Sequence, residues 1–176
     1  MRTGAKIDTD RMIRVDQAGE FGATRIYAGQ LAVMGDRGPH SAEITAMAQQ
    51  EAGHREKFDA LMARRGVRPT MLQPFWSTAG YALGAATALI GPEAAMACTA
   101  AVETEIEKHY SDQLDVLEAE GCDPELAAMI EEFRADEREH RDIALASGAE
   151  KAPAYPLLTG FIRAGCRVAI KLAERV

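Results

Sequence analysis

Two Glu-x-x-His motifs, each placed within an apolar helical stripe, constrain the fold of this chain more than any other feature. They are Glu51 with His54 and Glu137 with His140. Residues three positions apart lie about 60° apart on one face of an α-helix. Apolar residues continue both faces, at Met47, Phe58 and Leu61 around the first motif and at Ile130, Phe133 and Ala144 around the second. Both polar pairs are therefore predicted to point into a core rather than into water.

The rest of the sequence is typical of helices at nearly every position. Ala, Leu, Glu, Met and Arg are abundant, and runs of β-branched residues are absent. Gly and Pro divide the chain into six segments, roughly 8–34, 40–65, 74–90, 92–120, 123–147 and 155–175. Short connections between long helices favour antiparallel neighbours. We predict an all-α fold, a four-helix bundle with two additional helices, in a single domain over residues 1–176.

Two further carboxylates are candidates to join the Glu-x-x-His pairs. Bundles that hold two iron or manganese ions use a Glu-x-x-His from each of two helices and one Glu from each of the other two. The first segment offers Glu20 among small residues. The fourth offers Glu103, Glu105 and Glu107, of which Glu103 follows an almost uncharged stretch and is predicted to lie deepest. Glu107 shares that face in part, and Glu105 is expected to face water.

The pattern of a Glu followed by Glu-x-x-His occurs twice at nearly equal spacing, which predicts two hairpins related by a pseudo-two-fold axis. Four carboxylates in an apolar core would repel one another, and burying each charge costs several kcal/mol. Two divalent cations would balance them. Carboxylate with imidazole suits Fe(II) or Mn(II), and the lack of thiolate disfavours structural zinc. The predicted ligands of this dinuclear site are Glu20, Glu51, His54, Glu103, Glu137 and His140.

Two segments predict contact with a membrane surface. No charged residue occurs from position 69 to position 92, although Ala, Gly, Ser and Thr dilute the apolar content. A membrane-interface helix, or a helix buried in the bundle or at a dimer contact, is favoured over a true span. In segment 155–175 a basic stripe runs beside apolar residues. Its members are Arg163, Arg167, Lys171 and Arg175. An ordinary docked surface helix is the alternative for this segment.

Composition excludes several classes of function. The net charge of −7 disfavours nucleic-acid binding. Cys98, Cys122 and Cys166 are isolated and odd in number, so we predict reduced thiols instead of disulfides or a zinc site. The first residues contain no apolar run, so we expect no secretory signal and a bacterial cytoplasmic location.

Several stretches resemble the bacterial demethoxyubiquinone hydroxylase family of ubiquinone biosynthesis. They read RVDQAGEFGA, EAGHREKFDAL, AVETEIEKHYSDQL, FRADEREHRDIAL, APAY and AGCRVAIKLAERV. The likeness extends from about residue 10 to the end, in order and at near-constant spacing. It implies a ferritin-like di-iron monooxygenase that uses O2 to hydroxylate the ring of a polyprenyl methoxy-methyl-benzoquinol.

The resemblance also implies roles for individual residues and for partners. Carried over by position, Glu20 and His54 hold one iron, Glu103 and His140 hold the other, and Glu51 and Glu137 bridge them. NADH is suggested as the ultimate reductant, and the cytoplasmic face of the inner membrane as the location, with peripheral attachment. A homodimer and an accessory lipid-binding protein stay open as partners. His109 and Tyr110 are candidates for a proton or electron relay, with a structural role as the alternative for His109.

Two competing functions are kept. Another ferritin-like di-iron protein, for iron storage or peroxide removal, would fit the ligands but not the uncharged 69–92 segment. A non-enzymatic membrane-associated helical bundle would leave the six inward ligands unexplained.

A further expectation comes from the spacing of a carboxylate relative to a ligand histidine. Asp136 lies four residues before His140 and is a candidate to orient that imidazole.

Overall fold

The structure is a computed structural model that describes residues 8–175. Its α-helices are α1 (Thr9–Met34), α2 (Ser41–Arg65), α3 (Gln73–Ile90), α4 (Pro92–Glu120), α5 (Pro124–Ala146) and α6 (Tyr155–Ala173). A short 3₁₀ turn, Ala149–Lys151, precedes α6, and the described residues contain no β-strand. The predicted all-α class and all six predicted segments are confirmed. The single domain over 1–176 and the lack of a secretory signal stay predictions, because residues 1–7 lie outside the described part.

The bundle is built from two helical hairpins, α1 with α2 and α4 with α5. Each of these four helices contributes polar side chains to the middle of the bundle, and an apolar cluster lies on either side of them. One cluster includes Tyr27, Ile44, Met47, Met96 and Ala144. The other includes Ile13, Phe58, Leu117, Leu126 and Phe133. Burying apolar side chains on both sides of the polar group stabilises the bundle and excludes water from its centre.

Helix α3 connects the two hairpins and lies against α1 at very close range. A Cβ atom added to Gly84 would lie 1.9 Å from the carbonyl oxygen of Ile26, and one added to Gly29 would lie 2.2 Å from that of Tyr81. Only glycine allows the two backbones to approach in this way. The small residues of segment 69–92 therefore serve a contact within the chain. In the sequence, these small residues were one reason to predict a homodimer contact. Because they pack against α1 of the same chain, they no longer support that prediction.

Helix α6 is tied to α4 through a buried carboxylate. Glu105 is 3% exposed, and its Oε1 accepts hydrogen bonds from Arg163 Nε at 2.6 Å and Arg167 Nη1 at 2.9 Å. The expectation that Glu105 faces water is wrong. The sequence of α4 places Glu105 on a polar face, but α6 packs over that face and buries it. Two members of the basic stripe are thus engaged inside the protein. Among residues 8–175, Lys171 and Arg175 form no ion pair.

Large apolar side chains are exposed on both additional helices. They are Phe75, Tyr81, Leu89 and Ile90 on α3 and Leu157, Phe161, Val168 and Leu172 on α6. Within residues 8–175, none of the helices combines the length and the hydropathy needed to cross a membrane. The three cysteines are free thiols, as predicted.

Candidate metal centre

Six side chains from the four bundle helices meet between the two apolar clusters. They form two groups of four residues. Within each group, one potential ligand atom from every residue lies within 4.8 Å of those of the others. The first group is Glu20, Glu51, His54 and Glu137, and the second is Glu51, Glu103, Glu137 and His140. Each of the six is at most 3% exposed. The structure thus brings together all six predicted side chains, with Glu51 and Glu137 belonging to both groups.

Glu107, the alternative to Glu103, lies outside this cluster. Its carboxylate accepts hydrogen bonds from Arg138, at 3.0 Å, and from Arg141. These ion pairs join α4 to α5 near the surface. The side chain on α4 that enters the cluster is therefore Glu103, as the argument from its uncharged surroundings predicted.

Many polar atoms in the cluster have no hydrogen-bond partner. They are Oε2 of Glu20 and Glu103, both carboxylate oxygens of Glu51 and Glu137, and Nδ1 of His54 and His140. An unsatisfied buried polar atom normally costs about 1–3 kcal/mol, and such atoms are rare in native proteins. Here they are all oxygen or imidazole nitrogen atoms that converge on two places. This donor set fits two divalent cations, each with shared carboxylates.

Both imidazoles turn Nδ1 toward the cluster and Nε2 away from it. His54 Nδ1 lies 3.6 Å from Glu20 Oε2 and 3.5 Å from Glu137 Oε1. His54 Nε2 lies 2.9 Å from Asp136 Oδ2. The prediction that Asp136 orients His140 is therefore wrong. Asp136 reaches across from α5 to the imidazole of the facing helix, α2, because those two helices pack side by side in the bundle.

The equivalent partner of His140 is Gln50. Its Oε1 lies 3.1 Å from His140 Nε2. Gln50 precedes His54 by four residues, just as Asp136 precedes His140, so each hairpin supplies the orienting group for the imidazole of the other. Groups of this kind fix the ring orientation and the tautomer of a ligand histidine.

Two buried tyrosines bind the outer glutamates in the same crossed manner. The Tyr27 hydroxyl on α1 donates to Glu103 Oε1 on α4 at 2.6 Å, and the Tyr110 hydroxyl on α4 donates to Glu20 Oε1 on α1. Each tyrosine follows the glutamate of its own helix by seven residues, Tyr27 after Glu20 on α1 and Tyr110 after Glu103 on α4. The pseudo-two-fold relation predicted from spacing thus extends to the groups around the ligands. The roles of both tyrosine hydroxyls toward the glutamates were missed, although this repeated spacing was a usable signal.

The charges in the cluster shift several pKa values. Burial, followed by the charge of Glu137, raises the pKa of Glu51 and of Glu103 well above the ordinary value. Burial lowers the pKa of His54, but its close approach to the carboxylates of Glu137 and Glu20 outweighs burial and raises the pKa to about 10. The cluster of carboxylates therefore favours positive charge, carried by protons or by metal cations.

The geometry agrees with what comparison with known proteins shows. The sequence model of the family described as "Ubiquinone biosynthesis protein COQ7" matches residues 8–173. The chain belongs to this family. The family resemblance predicted from the sequence is confirmed.

Curated relatives of this COQ7-family chain cover almost all of its length. It is 54% identical over 168 residues to the 3-demethoxyubiquinol 3-hydroxylase of Rhodospirillum rubrum, which covers 95% of this chain and 78% of the relative. It is also 54% identical over 171 residues to a Homo sapiens protein named NADPH-dependent 3-demethoxyubiquinone 3-hydroxylase, mitochondrial, covering 95% of this chain and 77% of the relative. The 5-demethoxyubiquinone hydroxylase of Saccharomyces cerevisiae is 45% identical over 181 residues, with 95% and 78% covered.

A polar network lies beside Tyr110 in this COQ7-family chain. His109 Nε2 is 3.1 Å from Asp16 Oδ1, and Gln113 Nε2 donates to the same oxygen at 2.8 Å. Asp16 is 2% exposed, whereas the His109 side chain is 16% exposed and lines a surface pocket. Burial lowers the pKa of His109, but the hydrogen bond with Asp16 and the charge of Asp16, together with nearby carboxylates, outweigh burial, so the net pKa is raised. Asp16 and Gln113 were missed in the sequence, although Asp16 precedes Glu20 by one helical turn.

An apolar cavity of about 280 Å³ lies between α1, α3, α4 and α6. No charged residue lines it. Its inner wall includes Gly19 and Ala23, which flank Glu20, and Val102, which precedes Glu103. Its outer part includes Trp76 and the exposed Phe161. The cavity therefore lies between the exposed apolar surface of the additional helices and the segments of α1 and α4 that contain Glu20 and Glu103.

Proposed function

We propose that this chain is a di-iron monooxygenase of ubiquinone biosynthesis that hydroxylates the ring of a polyprenyl methoxy-methyl-benzoquinol. The observation that carries the proposal is the set of buried, unpartnered ligand atoms, with two shared carboxylates, in a chain of the COQ7 family. One atom of O2 enters the ring and the other leaves as water. The balance requires two electrons and two protons from a reductant.

The residues of the cluster divide between two iron positions. Glu20 and His54 would hold one ion, Glu103 and His140 would hold the other, and Glu51 and Glu137 would be shared. When bound, the iron pair supplies the redox chemistry that activates O2. Tyr27 and Tyr110 keep the outer glutamates in place by hydrogen bonding. The apolar clusters on either side keep bulk water away.

The apolar cavity is the proposed site for the quinol ring. Its walls of Gly, Ala, Val and Ile bind a flat, methylated ring by burial of apolar surface. A volume of about 280 Å³ accommodates the ring and only the start of a polyprenyl tail. The remaining tail would leave past Phe161, along the exposed apolar residues of α3 and α6. The substrate then enters without its tail crossing water.

The Asp16, His109 and Tyr110 side chains are the proposed relay between solvent and the cluster. His109 borders the surface pocket, and Tyr110 donates a hydrogen bond to the ligand Glu20. Asp16 holds the imidazole of His109 in position. The reductant for this chain is a reduced nicotinamide nucleotide. NADH stays the prediction from resemblance, while several relatives carry names that state dependence on NADPH.

The proposed location is the cytoplasmic face of the bacterial inner membrane, with peripheral attachment. The apolar side chains exposed on α3 and α6 would enter the lipid interface, and Lys171 and Arg175 would meet anionic headgroups. A homodimer or an accessory lipid-binding protein would use this same surface. Both partners stay predictions from the sequence.

The proposal is tested by iron content and product analysis in one preparation. Metal-free protein is loaded with Fe(II) without oxygen and then given O2, reductant and the demethoxyquinol. We expect two iron ions per chain and a hydroxylated quinol. Glu137→Gln should lose both iron and turnover, whereas Glu139→Gln, an exposed neighbour on α5, should keep both. Iron without product from this quinol would reject the substrate, and a lack of iron would reject the centre.

The alternatives predict other results. An iron-storage protein would accumulate many iron ions per chain, and a peroxide-removing protein would consume peroxide without an organic substrate. Both leave the apolar cavity beside Glu20 and Glu103 without a use. A non-enzymatic bundle would bind lipid without iron. The cavity and the ligand set together favour the hydroxylase.

A further inference from the structure

The two halves of the cluster share several close contacts but differ in the group that orients each imidazole. Both outer glutamates accept a hydrogen bond from a tyrosine hydroxyl, and both imidazoles turn Nδ1 inward. Both Nε2 atoms meet an oxygen from the facing helix at about the same distance, 2.9 Å for His54 and 3.1 Å for His140. The difference lies in that oxygen, which belongs to the carboxylate of Asp136 in one case and to the neutral amide of Gln50 in the other.

This difference changes the donor strength of the imidazoles. When Nδ1 faces a cation, Nε2 carries the proton and donates it in a hydrogen bond. A carboxylate is a stronger acceptor than an amide, and its charge makes the ring a better donor to a metal. Asp136 also adds a negative charge near the first position, whereas Gln50 adds none near the second. The side chain of Asp136 is 26% exposed, so its charge is only partly screened.

A second asymmetry falls on the same side. Beyond Tyr110, next to Glu20, lies the polar network in which buried Asp16 contacts His109 and Gln113. Beyond Tyr27, next to Glu103, the hydroxyl meets the sulfur of Met47 at 3.9 Å. The surroundings of the two outer glutamates therefore differ as well, while Asp136 is the carboxylate that adds negative charge beside His54.

We propose that the two metal positions differ in metal affinity because different side chains surround them. The position of Glu20 and His54 binds its metal more tightly and fills first, and the position of Glu103 and His140 fills second and exchanges more readily. Asp136 and Gln50 act as positioning residues that set this order. The inference rests on the dinuclear centre proposed above, but it does not depend on the identity of the substrate.

The test is a calorimetric titration of the metal-free 176-residue chain with Mn(II), which requires no turnover. We expect two steps whose affinities differ by at least about 10-fold, since orienting groups of this kind change metal affinity by about 10–100-fold. Asp136→Asn should weaken the tighter step by that amount and bring the two steps together. Gln50→Glu should tighten the weaker step. Glu132→Gln, an exposed change on α5, is the matched control and should alter neither step.

Two ligand variants identify which position fills first. His140→Ala should retain the tight step, and His54→Ala should lose it. Circular dichroism of each metal-free variant reports whether the fold is intact, because a purely structural role would change unfolding without changing the ratio of the two affinities. Two equal steps, or a ratio that Asp136→Asn and Gln50→Glu leave unchanged, would overturn the inference. Unequal binding of two Mn(II) in a protein that does not hydroxylate the quinol would support the inference and reject only the proposed function.

Discussion

The hydroxyl of Tyr27 on α1 donates a hydrogen bond to Glu103 Oε1 on α4, across the centre of the bundle, with an oxygen–oxygen distance of 2.6 Å. Both side chains are almost completely buried. The hydroxyl satisfies one carboxylate oxygen of Glu103 and leaves Oε2 as the unpartnered atom that faces the second metal position. A single hydrogen bond between two helices thus decides which oxygen is available for a metal.

Tyr27→Phe should lower the metal affinity of the position formed by Glu103 and His140. The variant leaves Glu103 Oε1 buried without a donor, so the carboxylate is free to rotate away from the position of the metal. We expect a loss of about 10–100-fold in the affinity of that step, measured by Mn(II) titration. Tyr155→Phe, at the start of α6, is the control. An unchanged affinity in Tyr27→Phe would show that the hydroxyl does not position the carboxylate.

His109→Gln should slow turnover without removing iron. His109 hydrogen-bonds to Asp16 rather than to any side chain of the cluster, so the metal positions stay intact. Positioned proton-transfer groups typically contribute about 10²–10⁴-fold to rate, and we expect a fall in kcat on the order of 10²-fold. The measurement is kcat alongside iron content for the reconstituted variant. If iron content falls in parallel with kcat, His109 has a structural role instead.

Glu105→Gln should loosen α6 from α4. The substitution removes the charge that both Arg163 and Arg167 bind, and these arginines are about half exposed, so screening by water limits the loss. We expect the free energy of unfolding to fall by about 1–3 kcal/mol, with faster amide hydrogen exchange in α6. Lys171→Ala removes a stripe residue that forms no ion pair among residues 8–175 and should leave exchange in α6 unchanged. Equal exchange in both variants would contradict the proposed attachment.

Asp123 should make stability depend on pH in acid. Hydrogen bonds from Arg65 hold the pKa of Asp123 below its usual value. A carboxylate with a lowered pKa in the folded state stabilises the fold above its unfolded pKa, and this contribution disappears as pH falls through the folded value. Asp123→Ala should therefore lose about 1–2 kcal/mol at pH 7, as expected for a lost helix cap and ion pair, and the deficit should shrink below about pH 4.

Urea unfolding at several pH values measures this deficit. Asp123→Asn is the matched variant, since its amide oxygen can still accept the hydrogen bond from the backbone N–H of Leu126 that caps α5. It should retain the cap and lose the ion pair, giving a smaller deficit at pH 7. A deficit that stays constant down to pH 3 would contradict the role of the carboxylate charge.

Gly84→Ala should destabilise the contact of α3 with α1. Its Cβ would overlap the backbone of Ile26, which cannot move aside as a flexible side chain would. Overpacking of this kind costs about 1–3 kcal/mol, which exceeds the gain of about 1 kcal/mol from replacing glycine inside a helix. Gly160→Ala is the control, because Gly160 is exposed on α6 with open space around it and should become slightly more stable. Thermal unfolding of both variants decides the sign.

The sequence by itself determined the features that depend on residues close together along the chain. These features are the helix ends and the side chains that each helix turns inward. The spacing of Glu137 and His140 within an apolar stripe was sufficient to turn both side chains inward, because a helix places residues three apart on one face. The uncharged stretch before Glu103 likewise distinguished it from Glu107. Gly and Pro predicted the helix ends.

Only the tertiary structure decided the contacts that pass from one helix to another. Asp136 orients His54 instead of His140, Glu105 is buried under α6, and Tyr27 binds Glu103. Each of these depends on the rotation and axial offset of a second helix, which local periodicity does not specify. The same holds for the cavity, whose walls come from four helices. The proposed ligand set was therefore readable from the sequence, while the groups proposed to position those ligands and to make the two metal positions unequal required the packed bundle.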